Sequence, residues 1–487
     1  MISSFGATHF AKETEHCTVA QDSEPLHIGF DDTDNRLGRC TTHMAFKITE
    51  HILKTTNADF IDNPLLIRLN PNIPWKTRGN GAVCLRIRTD RQDQQRIVDF
   101  IKHHIETNAA IGKGANPGVV FFRGRQIPEA LMEFSRFGMF DILHKQIALK
   151  LANKYNIEYF TLGNGRGLIG AIAAIGCVLD GDHTFEAIAY RRPENCGTLR
   201  NIDTNKVIEY SESTFPYTFN NYDYANRRIL ISPHGPDPVF CGIRGESTEV
   251  VVSSLISLKI HEKLEGCMVF RSNQGTNMHL QHEIKLPYAR SFTSGHIRCK
   301  VSVKPQTIQG GHTLFVVDTE DGVSFPAAVY EPTGLATVAS LLTVGDVVEI
   351  GCGVRKASSK HPRTFNVEYL MVLELANVFE IRNPVCSHCS KSMKSEGKDK
   401  GFQCKRCKQR EPPTKQKVQI KLPRKIKPEL YVPLPKAHRH LTKPLQRYGL
   451  EKKSTDYNKN MSDWFFSDLD SSSKSIITNN NAVFNTK

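Results

Sequence analysis

Two Cys-x-x-Cys pairs, Cys386/Cys389 and Cys404/Cys407, stand with 14 residues between them. Four thiolates at that spacing close a tetrahedral site around Zn²⁺ and leave no open position for chemistry. They predict a small structural knuckle late in the chain. The other nine of the 13 cysteines are scattered singly, the pattern of buried thiols in a reducing compartment rather than of a disulfide framework. The first 25 residues lack an apolar run of signal length, and the longest apolar run, residues 167–179, is too short to span a bilayer. That run reads as a core helix, and a cytoplasmic location is expected. A chain of 487 residues implies roughly three or four domains.

The net charge of +14 is concentrated in one region. Residues 390–453 hold 20 Lys and Arg against 5 Asp and Glu, a net of +15, which leaves −1 for the rest of the chain. Such a block indicates a polyanion, with RNA or DNA the first candidate; the plainer reading is a solubilising tail. Tyr431, His438, His440 and Tyr448 within it are aromatic groups able to stack on bases.

Residues 26–160 alternate strand-like and helix-like patterns, as a compact α/β domain does. Residues 161–290 read as an α+β domain, with a glycine-flanked helix at 164–176, a strand at 184–192 and a helix-like stretch at 248–260. From 291 to 378 the texture is β, with five short strand-like runs and a helical stretch, residues 334–342, between the third and fourth. That order suggests an OB-fold, a common binder of single-stranded nucleic acid. The zinc pairs fall in 379–425, and 426–487 is a basic segment running into a Ser/Asn/Asp-rich tail expected to be disordered. Residues 1–25 form an N-terminal extension expected to be disordered. The fold class expected is multidomain α+β.

The stretch HIGFDDTDNRLGRCTTHMAF, residues 27–46, carries the sharpest chemical pattern. Asp31, Asp32 and Asp34 follow a short apolar run, Gly38 lies in the next loop, and Cys40-Thr41-Thr42 opens a helix. Carboxylates facing a helix start suit a Mg²⁺-bound polyphosphate; an acidic turn followed by a Thr cap explains the same letters. Lys76 and Arg78 flank a Gly-Asn-Gly turn, either a phosphate-binding loop or a hairpin with exposed charge. GNGRGLIG reads better as a turn into a helix than as a phosphate loop. In SPHGPDPVFCGIRG two prolines stiffen the chain beside His234 and Asp237, the latter a ligand for a cation or a turn aspartate. YRRPENCGTLR supplies arginines for RNA or for a charged edge.

The motifs FDDTDNRLGRCTT, LIRLNPNIPWKTRGNGAV, ANPGVVFF, GNGRGLIGAIAAIG, YRRPENCGTLR, SPHGPDPVFCGIRG and RSNQGTNMHL occur in this order. Over residues 26–447 the chain closely resembles the archaeal tRNA(Ile2) 2-agmatinylcytidine synthetase family. The resemblance implies an atypical kinase-like ATP-binding domain, a ferredoxin-like domain, an OB-fold and a zinc ribbon. It implies an ATP-dependent ligase that replaces the C2 oxygen of the wobble cytidine of CAU-anticodon isoleucine tRNA by agmatine, through phosphorylation of that oxygen, so that AUA is decoded. By motif match Asp31, Asp32 and Asp34 hold Mg²⁺ and ATP phosphates, and Thr41 matches the family's autophosphorylated threonine. Thr33, Gly38, Thr42, Lys76 and Arg78 are candidate ATP-binding residues, and His234 and Asp237 candidate agmatine-binding residues near the interface of the first two domains. Two departures stand out: His43-Met44 where an aromatic and an aliphatic residue are more usual, and Cys196 where Trp is expected. The second leaves another amine open as substrate, and a non-catalytic tRNA-binding protein is the alternative of a different class.

Overall fold

The computed structural model describes residues 23–34, 40–77, 79–111, 114–286, 288–453 and 464–469. Gly38 and Arg78 lie outside the described residues, as do residues 1–22 of the extension and most of the tail beyond Lys453. Eight strands of four or more residues form one sheet: β1 (Pro25–Asp31), β2 (Leu65–Arg68), β3 (Gly81–Arg88), β4 (Gly118–Arg123), β5 (Glu158–Thr161), β6 (Thr184–Arg191), β7 (Val239–Gly245) and β8 (Leu264–Ser272). Their order is β5-β4-β1-β3-β2-β8-β6-β7. All neighbours are antiparallel except β2 and β8, whose Leu65/Arg271 and Leu66/Ser272 pairs are parallel. The first two modules therefore share a continuous sheet.

β1 lies inside this sheet, and its pleat sorts its side chains. Leu26, Ile28 and Phe30 enter the core beneath α1 (Thr41–Thr55) and α2 (Arg91–Asn108). α1 buries Thr41, Met44, Ala45, Ile48 and Ile52, spaced three or four apart along one face. The opposite face of the sheet is covered by α3 (Glu129–Phe140), α4 (Lys145–Lys154) and α5 (Gly167–Gly176). α5 is the core helix expected from its apolar run. It approaches β1 so closely that a Cβ at Gly29 would sit 2.2 Å from the Ala171 carbonyl oxygen, and one at Gly170 would sit 2.0 Å from Asp31 Oδ2. In GNGRGLIG, Gly163 and Gly165 take left-handed turn conformations ahead of the helix, as the plainer reading of a turn into a helix held, and Gly167 and Gly170 allow helix-on-strand contact.

The second module adds α6 (Thr204–Ser213), whose Val207 and Tyr210 join the core that contains Phe30 and Phe46. The helix-like stretch at 248–260 is two short helices, Thr248–Val252 and Ser254–Ser257. Next comes a closed barrel of Ser294–Thr307, Thr313–Thr319, Ser324–Val329, Val347–Arg355 and Thr364–Glu374, with a parallel third-to-fifth pair and the helix Leu335–Ala339 between strands three and four. Three two-residue strands frame the cysteine knuckles.

Most Lys and Arg of the basic segment are exposed, and a few of its cations tie the molecule together. Arg424 makes a bidentate pair with buried Asp346 at 2.7 and 2.8 Å. Arg447 is fully buried against Asp182 (2.8 Å) and Glu246. Arg439 meets Glu368 at 3.1 Å, and Lys452 meets Glu246 at 2.9 Å. Residues 426–453 are a strap that ties barrel to sheet. His438 accordingly contacts Asn220 and the Pro433 carbonyl rather than presenting a free ring face. The tail departs from expectation too, because Trp464–Leu469 is ordered and Phe465–Ser467 pairs with β8.

Candidate active site

At the carboxyl end of β1 the chain turns sharply. Asp32 has φ +60°, a left-handed conformation unfavourable for a residue with a Cβ, and its N–H donates to Asp31 Oδ1 at 2.6 Å. The turn sends the three aspartates in different directions. Asp31 lies against α5; burial, reinforced by the neighbouring Asp32 charge, holds its carboxyl well above the usual range. Asp32 is buried, and its Oδ2 accepts from Arg166 Nε at 2.6 Å. Its carboxyl is also raised, by burial that outweighs Arg166. Asp32 Oδ1 has no hydrogen-bond partner among the described residues.

Asp34 turns to the start of α1. Thr41 Oγ1 donates to Asp34 Oδ1 at 3.0 Å, and fully buried Thr33 donates its hydroxyl to Thr41 Oγ1 at 3.1 Å. Thr41 therefore directs its proton at a carboxylate, the arrangement a phosphoryl-accepting hydroxyl needs. Cys40 occupies the cap position of α1, and its Sγ lies 3.0 Å from the Thr42 hydroxyl of the first turn; the helix start and its dipole favour an anion here.

Two clefts flank this loop. The larger, about 480 Å³, brings together Asp34, Thr41, Thr42, His234 and Asp237, with Arg68 and Arg244 opposite. The smaller, about 160 Å³, holds Asp31, Asp32, Arg166, Lys76 and Trp75. Asp237 is buried; it accepts from the Val239 N–H at 3.2 Å and lies 3.6 Å from Arg200. His234 Nε2 is 2.5 Å from Arg228 Nη2; guanidinium only donates, so this nitrogen accepts. Lys76 Nζ bonds the Pro71 and Ile73 carbonyls of its own loop. The described candidate residues are thus gathered around one loop, in two compartments.

Sequence reasoning missed Arg166, Arg68, Glu186 and Arg244. Arg166 sits within GNGRGLIG, read only for its glycines. Glu186 is a buried carboxylate inside an apolar strand, a signal available in TFEAIAY; it accepts from Arg244 Nε at 3.0 Å and from Gln274 Nε2 at 2.5 Å. Burial lowers the Arg68 guanidinium to about 10. Two of the three arginines of YRRPENCGTLR are structural: Arg191 is buried and paired with Glu262 at 2.7 Å, and Arg200 holds the Gly235, Asp237 and Val239 carbonyls, while Arg192 is partly exposed, 3.5 Å from Asp468. Cys196 is half-exposed and lines neither cleft.

For Mg²⁺, the three aspartates do not converge on one point. Among the described residues only Cys386, Cys389, Cys404 and Cys407 form a group of three or more potential ligands, with sulfurs within 4.8 Å of one another. The donor set at Asp31 and Asp32 still suits a cation, since two desolvated carboxylates repel and one buried oxygen lacks a partner. Mg²⁺ commonly takes one or two carboxylates and completes its shell with phosphate and water. The cysteine sulfurs, 3.4 Å apart in the pairs Cys386/Cys407 and Cys389/Cys404, need only slight expansion to surround Zn²⁺ at the usual bond length of about 2.3 Å.

Three family models match in order: the TiaS TCKD domain over residues 27–164, the TiaS FLD domain over 165–279 and the TiaS C-terminal zinc ribbon domain over 383–426. The tRNA(Ile2) 2-agmatinylcytidine synthetase TiaS of Cenarchaeum symbiosum is 40% identical over 424 residues, covering 87% of this chain and 93% of the relative. The chain belongs to the TiaS family. The Archaeoglobus fulgidus TiaS is 38% identical over 426 residues, 87% of this chain and 98% of that one. The solved TiaS–tRNA(Ile2)–AMPCPP–agmatine complex superposes with a TM-score of 0.76 at 35% identity, over 87% of this chain and 97% of that one. The first two TiaS family models meet where α5 begins, next to the expected boundary at 160, although α5 packs on strands of the first module.

Proposed function

We propose that this chain is an ATP-dependent ligase that attaches agmatine to C2 of the wobble cytidine of CAU-anticodon isoleucine tRNA. The relatives named for this activity, and solved complexes with tRNA(Ile2), an ATP analogue and agmatine, support it. The observation in this chain that carries it is the Thr33–Thr41–Asp34 relay placed between two clefts. The smaller, with Asp31, Asp32, Arg166 and Lys76, takes the ATP phosphates; the larger takes cytidine and agmatine. No helix among the described residues is long and apolar enough to cross a membrane.

Cytosine O2 is a poor leaving group until it is esterified. A phosphoryl group from ATP forms the O2–P bond as its bond to the leaving phosphate breaks. The neutral primary amine of agmatine then attacks C2, the C2–O2 bond breaks, and inorganic phosphate departs while the amine loses protons. Asp31 and Asp32 would hold Mg²⁺, which supplies charge compensation during transfer. Thr41, at the first turn of α1, takes a phosphoryl group from ATP in a transfer of its own: its Oγ1–P bond forms as the bond to the leaving nucleotide phosphate breaks, and Asp34 accepts the hydroxyl proton. Arg68 and Arg244 face the anion from across the cleft. Asp237 is the acceptor for the agmatine guanidinium, His234 stands beside it in the same cleft, and Glu186 adds a third polar wall. Cys196 lines neither cleft, which favours agmatine over another amine.

Strand order supports naming the barrel an OB-fold: the first strand pairs the second and fourth, and the third and fifth are parallel. The kinase-like and ferredoxin-like names for the first two modules rest on the family resemblance, and a cytoplasmic site rests on the free cysteines. The test is incubation with ATP, radiolabelled agmatine and an unmodified CAU-anticodon isoleucine tRNA transcript. Label enters the tRNA only with ATP. Binding of tRNA without label transfer would leave a non-catalytic tRNA-binding protein, and phosphate transfer without agmatine would indicate a different amine.

A further inference from the structure

The last family model ends at residue 426, yet Trp464–Leu469 is docked onto the core. Its backbone extends the sheet beside β8: Val269 N–H donates to the Trp464 carbonyl at 2.7 Å, Asp468 N–H to the Glu265 carbonyl at 2.9 Å, and Leu264 N–H to the Leu469 carbonyl at 3.1 Å. This is strand addition to an open edge, in which main-chain bonds give adhesion and side-chain pockets give register. The side chains are specific. Trp464 is 5% exposed and packs on Phe60 at 4.9 Å between ring centres, and Phe465 stacks on Phe46 at 5.1 Å. Gly266 makes room for the docked backbone and for Phe46, since a Cβ there would lie 2.3 Å from the Phe466 carbonyl oxygen and 2.5 Å from the Phe46 ring.

Phe46 is the link to the site. It belongs to α1, four to five residues after Thr41 and Thr42, and its other side meets Tyr190 at 5.0 Å. The same strip of β8 holds α1 by charge, with Glu265 accepting from His43 at 2.6 Å and Lys47 at 3.1 Å. Helix α1 is therefore gripped by Glu265 and Phe465 about one turn beyond Thr42, which lines the reaction cleft. Packed aromatic rings resist sub-ångström displacement because interiors are close-packed. A shift of α1 moves the Thr41 hydroxyl relative to Asp34.

We propose that Trp464–Leu469 is a latch whose aromatic side chains, acting through Phe46, position α1 and so set the alignment of Thr41 with Asp34 for phosphoryl transfer. Trp464 and Phe465 are positioning residues; they touch no substrate. The proposal rests on the reading that Thr41 works in the reaction, but docking itself is measured without the reaction.

The experiment uses the full chain carrying the paired substitutions Trp464→Ala and Phe465→Ala, with Phe465→Leu as the conservative control. Amide exchange should quicken in α1 and β8 while α2 stays as protected as in the unsubstituted chain. In the agmatine-transfer assay kcat should fall about tenfold, as for a modest misplacement of a reacting group, with the KM values for ATP and agmatine within about twofold and Phe465→Leu near the parent. Unchanged exchange in α1 overturns the docking. A quickened α1 with unchanged kcat, or a matching loss of protection in α2, overturns the positioning role. Absence of agmatine transfer by the parent chain bears on the proposed reaction and leaves the exchange result standing. Gly266→Ala, which disturbs the same contact from the strand side, should quicken α1 exchange as the double substitution does.

Discussion

Thr41 Oγ1 donates to Asp34 Oδ1 across 3.0 Å, bridging the acidic loop and the first turn of α1. The bridge joins the carboxyl end of a central strand to a helix start, so one short loop fixes both the charge and the acceptor. Asp34→Asn should keep the shape and lose the proton acceptor. We expect kcat to fall about a hundredfold, the lower end for general-base removal, with tRNA binding unchanged; steady-state kinetics with a filter-binding control checks this.

Arg166 pairs with Asp32 at 2.6 Å, and Asp32 is buried while Arg166 is about one-third exposed. Arg166→Ala leaves a buried carboxylate with less compensation. Discounted for that exposure, the expected destabilisation is about 1 kcal/mol. Differential scanning fluorimetry should show a lower Tm, and MgATP should raise it less in the variant than in the parent, because Arg166 lines the phosphate cleft.

His27 provides the pH prediction. Nε2 faces the Gly124 carbonyl at 2.9 Å and Nδ1 faces Arg86 Nη1 at 2.8 Å, so Nδ1 must accept and the ring must stay neutral. Burial, then Arg86, lowers its pKa to about 4, and burial does the same for His183. A folded-state pKa below the unfolded value of about 6.5 means that the unfolded chain takes up protons first. This contribution is therefore whole above pH 6.5 and is lost as pH falls towards 4. Urea midpoints should drop across that window. His27→Gln should be less stable at pH 7 but show a shallower drop.

Arg447 has no exposed surface and answers both Asp182 and Glu246. Arg447→Met removes the bidentate partner of Asp182 and leaves Glu246 to Lys452 alone; removal of one partner from a buried pair costs about 3–5 kcal/mol, and the remaining lysines put this case at the lower end, about 3 kcal/mol. Chemical denaturation should show that loss, with faster proteolysis of the 426–453 strap.

The four cysteines should hold about one zinc ion per chain by elemental analysis. Backbone N–H groups of Cys407 and Arg406 already hold the Cys404 thiol below its ordinary value. Cys404→Ser should abolish the zinc and expose residues 386–411 to protease, leaving the melting of the sheet core unchanged.

Periodicity and spacing made the module order, the barrel strands, the core helix and the zinc knuckle legible, because each depends on local pattern. The grouping of Asp34, Thr41, His234 and Asp237 in one cleft was reached through motif resemblance, since residues some 200 positions apart have no local signature. Arg166, Glu186 and Arg244 escaped because their partners are set by tertiary packing: an arginine beside glycines looks like a turn, and a glutamate in a strand looks like an edge. Composition also could not separate the few paired cations of the basic segment from its many exposed ones. Net charge counts Arg424, Arg439 and Arg447 alike with free cations, whereas the fold pairs them with Asp346, Glu368, Asp182 and Glu246. Composition likewise hid the tail, where Trp464 and Phe465 interrupt a polar stretch and dock.

The most direct test of the chemistry follows one oxygen atom. A CAU-anticodon isoleucine tRNA carrying ¹⁸O at C2 of its wobble cytidine is incubated with the protein, ATP and agmatine, and the phosphate products are weighed by mass spectrometry. Phosphorylation of that oxygen followed by displacement predicts ¹⁸O in inorganic phosphate, in step with agmatine incorporated. Label in AMP or in water, with inorganic phosphate unlabelled, would contradict the account.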